Sequence, residues 1–351
     1  MRARYGCVCF ALPRNLVAHL AARSSPEHAA LLNAQLAHSA QLRGARAAHP
    51  AGVAQAAGGT QALHRQAFSA QGKTALPGKL LRGESDAPSA DADADAAFDN
   101  IGIVLQFYRD VLGRMSVDGR GARIDTSVHY GARFANAMWT GNQMIVGDGD
   151  GQHVEGLARS LGIIAHELSH GVTQHLVKGG LGVVLRPKAL PTLEGEAGAL
   201  NESFCDVFAS MVKQWHLKQD VGHADWLLGE DILAPGSGHA VRSLKDPGNA
   251  HLTWPEDDQL KDARRWMPGD DPHKASGIPN HAFYLAAMAL GGHSWEKLAP
   301  IWLEAFGRLS ADATFADAAH ATVDVAAARH GKASAEHEAV HGGWKKVYVL
   351  A

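Results

Sequence analysis

The chain has 351 residues, 46% hydrophobic and 20% charged, which is long enough for two domains with their own cores and too apolar for a disordered or fibrous chain. Lys and Arg number 33 against 36 Asp and Glu, a formal net charge of -3, so no long-range field draws the protein to nucleic acid or an anionic membrane. Of the three cysteines, Cys7 and Cys9 lie too close together for an ordinary bridge and Cys205 is far away, so no disulfide framework is expected.

In chain order, residues 1 to 12 carry two arginines and a short apolar run that Pro13 and Arg14 cut off, with no small-residue cleavage site. No stretch approaches the roughly 18 apolar residues of a membrane span. The expectation is therefore a cytoplasmic protein with no membrane partner, export being the alternative. Residues 15 to 48 are Ala-rich, with Leu16, Leu20, Leu31, Leu32, Leu36 and Leu42 at helical intervals, and Ser24-Ser25-Pro26-Glu27 reads as a helix start. Pro50, Gly52, Gly58 and Gly59 then mark a boundary.

Short strands or turns follow around Gly72 to Gly83, and Asp91 to Asp95 reads as a solvated helix entry or linker. A helix is predicted over 98 to 112, closed by Gly113, and an antiparallel edge between Ile124 and Val146. Beyond Leu157 the pattern is helical over 157–177, 198–218, 278–290, 295–309, 314–330 and 333–348, with loops at 234–239 and 267–280. The outline is α+β. A short helical segment (1–50) precedes a β-rich domain (51–195) and a helical domain (196–351), with a cleft where the last two meet.

His166-Glu167-Leu168-Ser169-His170 carries the chemistry. Positions i and i+4 of a helix stack one above the other, so His166 and His170 can offer two imidazole nitrogens to one ion while Glu167 stands beside a metal-bound water. Glu202 and Asp206, also four apart, sit in an apolar stretch (Leu200, Phe204, Val207, Phe208). Glu202 can complete a His2Glu zinc site with an open fourth position, and Asp206 can accept the outer N–H of a zinc histidine. Two carboxylates on a buried face need a cation. Cys205 points about 100° away from Asp206 and reads as a small core residue.

These residues, together with Gly195 to Ser203 and Pro272 to Tyr284, resemble the thermolysin family of neutral zinc metalloendopeptidases. Ser127-Val128-His129-Tyr130, Asn136-Ala137-Met138-Trp139, Gly147 to Gly151, Trp226 to Asp231 and Arg242 to Pro247 extend the likeness over residues 60 to 351. Cys7 to Leu16 resembles the start of the compact propeptide of the protealysin subgroup, which implies a precursor. The resemblance implies a thermolysin-like two-domain fold and one Zn2+ held by His166, His170 and Glu202. It makes Glu167 the general base and His273 the donor to the oxyanion, with Asp270 or Asp271 orienting His273. Asn201 and Asp206 support the zinc histidines, Arg242 holds a substrate carbonyl, and Asn136 and Ala137 pair with the peptide backbone. Ile163, Leu157 and Val241 line the pocket for the residue after the cleaved bond, so cleavage on the N-terminal side of apolar residues is implied. The implied partners are peptide and protein substrates and the chain's own propeptide as intramolecular inhibitor, in a monomer.

Three positions depart from that pattern. Leu193 stands where the family has a tyrosine that donates to the oxyanion, a loss on the order of 10² to 10³ in rate. Asp225 and Glu230 of a double calcium site remain, but Gly162, Lys213 and Leu227 replace carboxylates, so no double site is expected, though one residual calcium position remains open. Residues 178 to 191 form an insert that reads as a hairpin over the cleft. A thiolate of Cys7 or Cys9 can close the open zinc position, or both can be free thiols. The alternative to a peptidase is a silent zinc-binding module for peptides, prompted by Leu193; an exopeptidase on the same scaffold is a third reading.

Overall fold

The computed structural model describes residues 10–47, 63–184 and 192–351. Cys7, Cys9, the boundary at residues 50 to 59 and the tip of the 178–191 insert lie outside the described residues. The leading segment forms two helices, α1 (Arg14–Ala22) and α2 (Pro26–Ala47). The second starts at the Ser25-Pro26 step, where the Ser25 hydroxyl accepts the His28 N–H at 3.3 Å and proline occupies the first helical position.

A five-stranded mixed sheet follows, from β1 (Arg65–Ser69), β2 (Lys79–Gly83), β3 (Ile124–Val128), β4 (Ala137–Trp139) and β5 (Met144–Val146), in the order β2-β1-β3-β5-β4. The predicted antiparallel edge is only half right. β4 and β5 are antiparallel, but β3 runs parallel to both β1 and β5. Helix α3 (Ala92–Leu112) crosses the sheet and begins six residues before the predicted start, because the Asp91 side chain accepts the Ala94 N–H and brings the acidic stretch inside the helix.

The zinc-motif helix, α4 (Leu161–Leu176), lies between β4 and the long helix α5 (Gly195–Leu217). Every residue from Gly162 to Gln174 is buried, as expected of a helix packed on two sides. At Gly171 a Cβ would meet Val117 at 2.9 Å and the Trp139 ring at 3.1 Å, so only glycine lets β4 approach the motif so closely. Before α5, β6 (Val183–Val184) and β7 (Thr192–Leu193) pair antiparallel, which agrees with a hairpin at the insert. The helical half adds β8 (Leu227–Leu228), β9 (Arg242–Ser243), α6 (Pro272–Ala275), α7 (Gly277–Leu290), α8 (Ser294–Phe306), α9 (Phe315–His330) and α10 (Ala335–Lys346) around α5. Part of the predicted 267–280 loop is thus helical, with Pro272 opening α6 and the Asp271 side chain capping it.

Candidate active site

His166 and His170 project from one face of α4 toward Glu202 of α5, and all three are at most 1% exposed. The outer nitrogens of the two rings are occupied. His166 Nδ1 lies 2.8 Å from Asp206 Oδ1 and donates to it. His170 Nδ1 donates to Asn201 Oδ1 at 3.1 Å, and the amide orientation of Asn201 is fixed because its Nδ2 donates to Leu181 O at 2.8 Å. Each Nε2 therefore carries a bare lone pair, and the two lie 3.2 Å apart. Glu202 stands 3.4 Å from His166 Nε2 and 3.7 Å from His170 Nε2, yet both its carboxylate oxygens are buried without a hydrogen bond.

Two lone pairs and an unsatisfied carboxylate facing one point repel one another unless a cation joins them. Nitrogen and carboxylate donors in a set of three are those of a zinc site with an open position. The residues therefore fit Zn2+. Burial opposes ionisation of Glu202, but His273, His170 and His166 outweigh it and hold its carboxyl well below the usual range.

Glu167 is anchored at one oxygen only. Its Oε2 accepts the Trp139 backbone N–H at 2.7 Å, whereas Oε1 is buried without a partner. Burial pushes its pKa up to about 7, suited to a group that takes and returns a proton near neutrality. Asp206 is the hub behind the metal ligands: besides His166 it receives Arg242 Nε at 2.9 Å, Arg242 Nη2 at 2.9 Å and Asn280 Nδ2 at 2.8 Å. Burial raises its carboxyl pKa, but Arg242 and His166 more than offset this and keep it ionised. Asn280 was not singled out from the sequence, although it lies in the quoted Pro272 to Tyr284 segment.

His273, on α6, donates from Nδ1 to Asp271 Oδ1 at 3.0 Å, which resolves the open choice between Asp270 and Asp271. Asp270 instead binds Lys274 at 2.7 Å. Burial lowers the His273 pKa, yet Glu202 and Asp271 raise it to about 9, so both ring nitrogens donate.

The leading segment occupies the cleft. Ala11 N–H donates to Ala137 O on the edge strand at 3.1 Å, and Leu12 N–H to Asn136 Oδ1 at 3.0 Å. Arg242 Nη1 donates to Ala11 O at 3.1 Å and His273 Nε2 to Phe10 O at 3.2 Å. Residues predicted to hold a substrate backbone thus hold the chain's own residues 10 to 12. Ile163, Leu157 and Val241 are buried beside the site, at no more than 1% exposure.

At the former calcium position, Lys213 Nζ lies 3.3 Å from Asp225 and 3.0 Å from Leu227 O and pairs with Glu230. Cys205 is fully buried in the core. Two other groups of ligand-type side chains are satisfied without an ion. Arg133 Nη2 donates to His28 Nδ1 at 3.2 Å, so His28 Nε2 carries the proton toward Asp150 at 2.9 Å. His129 donates to Asp148 and Asp91 from its two nitrogens.

The thermolysin metallopeptidase catalytic-domain description matches residues 55–174 and the alpha-helical-domain description residues 192–349. The chain belongs to the thermolysin family. It is 38% identical over 307 residues to an extracellular metalloprotease of Pectobacterium carotovorum subsp. carotovorum, covering 82% of this chain and 81% of that one. It is 38% identical over 277 residues to the protease PrtS of Photorhabdus sp. (strain Az29), covering 74% and 70%. The precursor of protealysin, a metalloproteinase from Serratia proteamaculans, superposes with a TM-score of 0.82 at 34% identity over 97% of this chain and 100% of that one. This family member is a protealysin-like zinc metalloendopeptidase in precursor form. Its two-domain thermolysin architecture agrees with the α+β expectation.

Proposed function

We propose that His166, His170 and Glu202 bind one Zn2+ and that the processed protein hydrolyses peptide bonds on the N-terminal side of apolar residues. The converging, unsatisfied donor set carries the reading. Bound zinc lowers the pKa of a coordinated water to about 7 and polarises the scissile carbonyl. Glu167 takes the water's proton on its free Oε1 and passes it to the leaving amine. His273, kept protonated, donates to the developing oxyanion from Nε2. Arg242 and Asn136 fix the backbone after the bond, and Ala137 O extends the sheet onto the peptide. Ile163, Leu157 and Val241 offer an apolar side chain its pocket.

Residues 1–50 act as the intramolecular inhibitor, a reading supported by the occupation of Asn136, Ala137, Arg242 and His273 by residues 10 to 12. The mature chain divides into 51–195 and 196–351 and works as a monomer. Lys213 supplies the charge that a double calcium site would otherwise require, so zinc is the one metal the activity needs.

Processed, zinc-loaded protein should cleave casein and blocked peptides, with new amino termini at apolar residues, and Glu167→Ala should lower kcat by on the order of 10² to 10⁴. Leu193 favours a second reading, a silent peptide-binding module. That reading wins if wild-type and Glu167→Ala proteins are equally inert.

A further inference from the structure

The leading segment lies across the site in one definite register. Of its described carbonyls, that of Phe10 shares a histidine with the metal ligands: His273 Nε2 is 3.2 Å from Phe10 O and 3.5 Å from Glu202 Oε2. The next carbonyl, of Ala11, is held by Arg242 on the side of Asp206, and Leu12 lies on Asn136. Phe10 therefore stands where a substrate places the residue before the cleaved bond, and Ala11 where it places the residue after it.

Side chains of an extended segment alternate between faces. Ala11 and Leu12 join the main core beside α4, whereas Phe10 belongs to a separate cluster with Ala70, Tyr130, Phe134, Met138 and Ile145. Its ring is 3% exposed and meets Phe134 edge to face at 6.4 Å between centroids. Phe134 in turn meets Tyr130 at 5.4 Å, and Met138 and Ile145 are cross-strand partners on β4 and β5. None of the five lining side chains is charged. The ceiling of this pocket is His38 of α2, stacked on Tyr130 at 6.0 Å and bonded to its hydroxyl at 3.2 Å. Ring and ceiling thus belong to the segment that must leave, while the floor and walls belong to the part that stays.

We infer that the pocket of Ala70, Tyr130, Phe134, Met138 and Ile145 selects an aromatic side chain immediately before the cleaved bond, with Phe10 as its built-in occupant in the precursor. The inference rests on the proposed peptidase function and adds a second specificity element to the apolar pocket after the bond. An edge-to-face partner in Phe134 and a thioether in Met138 both favour a ring over an aliphatic chain of equal area.

The test uses protein folded as the full precursor and then cut at a protease site inserted between residues 48 and 62. Blocked peptides acetyl-Gly-X-Leu-Ala-amide, with X as Phe, Leu, Ala or Asp, are assayed for cleavage between X and Leu, and their Kd values are measured on the same preparation carrying Glu167→Ala. The expected kcat/KM ratio of Phe to Ala is on the order of tenfold to a hundredfold, with Asp poorest. Phe134→Ala, and Phe134→Leu should the first fail to fold, bring the ratio close to one. Cleavage with no discrimination at X, or a ratio that survives both substitutions, overturns the inference while the peptidase reading stands. A Kd order with Phe tightest and no cleavage of any peptide supports the pocket and removes the peptidase function instead.

Discussion

Helix α5 carries two buried acidic sites that solve one electrostatic problem in opposite ways. At Glu202 the surrounding donors point inward with nothing among them to answer their charge. About three turns further along, Lys213 reaches Asp225, Glu230 and the Leu227 carbonyl with its own ammonium. Carboxylates gathered away from water need a cation in either case. A side-chain cation gives a permanent, inert tie, while a site left for an exchangeable ion also leaves room for water and chemistry. The contrast explains how the same helix can be structural at one end and reactive at the other.

The comparison breaks most visibly if the first site is made like an ordinary polar core. Glu202→Gln should retain the fold and lose zinc, seen as a fall from one zinc per chain to near none by elemental analysis; full retention of zinc would refute the ligand assignment. Asp206→Asn leaves the three ligands but weakens what orients His166, and zinc affinity in a competition assay should fall about 10- to 100-fold. At the second site Lys213→Met strands two partly exposed carboxylates. Because breaking a fully buried pair costs about 3–5 kcal/mol and these partners retain solvent, a loss of about 1–3 kcal/mol is expected in denaturant unfolding. Lys213→Glu should make Tm rise with added calcium, a response that the unsubstituted protein lacks.

The smallest effect concerns acid. Burial raises the Asp150 carboxyl pKa, but His28 and the N–H groups of Gln152, Val154 and His153 together lower it below its ordinary 3.8. A carboxyl depressed in the folded state stabilises above its unfolded pKa and loses that contribution as pH falls through the folded value. Proteolytic accessibility of the leading segment should therefore rise only below about pH 4. Loosening between pH 5 and 7 would point to the histidines instead.

The two sites also differ in how far the sequence exposes them. The motif histidines and the Glu202/Asp206 pair are legible because their spacings are those of single helices, and the local apolar context announces burial. The retained Asp225 and Glu230 with an intruding Lys213 are legible only against a family pattern. Contacts between residues 10 to 12 and 136 to 137 leave no local trace, since nothing in either stretch encodes a partner 124 positions away. Asp271 was ambiguous for a similar reason: whether it caps α6 or faces His273 depends on a backbone turn, and it does both. The early start of α3 was hidden by alternating Asp and Ala, a composition that suits a solvated linker equally well.

The leading segment also fastens the two sides of the cleft to each other. Gln35 binds Ala135 and Arg133 on the sheet side, while Asn15 binds Asp258 and His19 pairs with Glu256 on the helical side. A cut between residues 48 and 62 severs the covalent link without touching any of these contacts. Backbone scission and the onset of turnover are then separate events, the second being the dissociation of a bound fragment, so the freshly nicked protein should awaken faster on dilution than in concentrated solution.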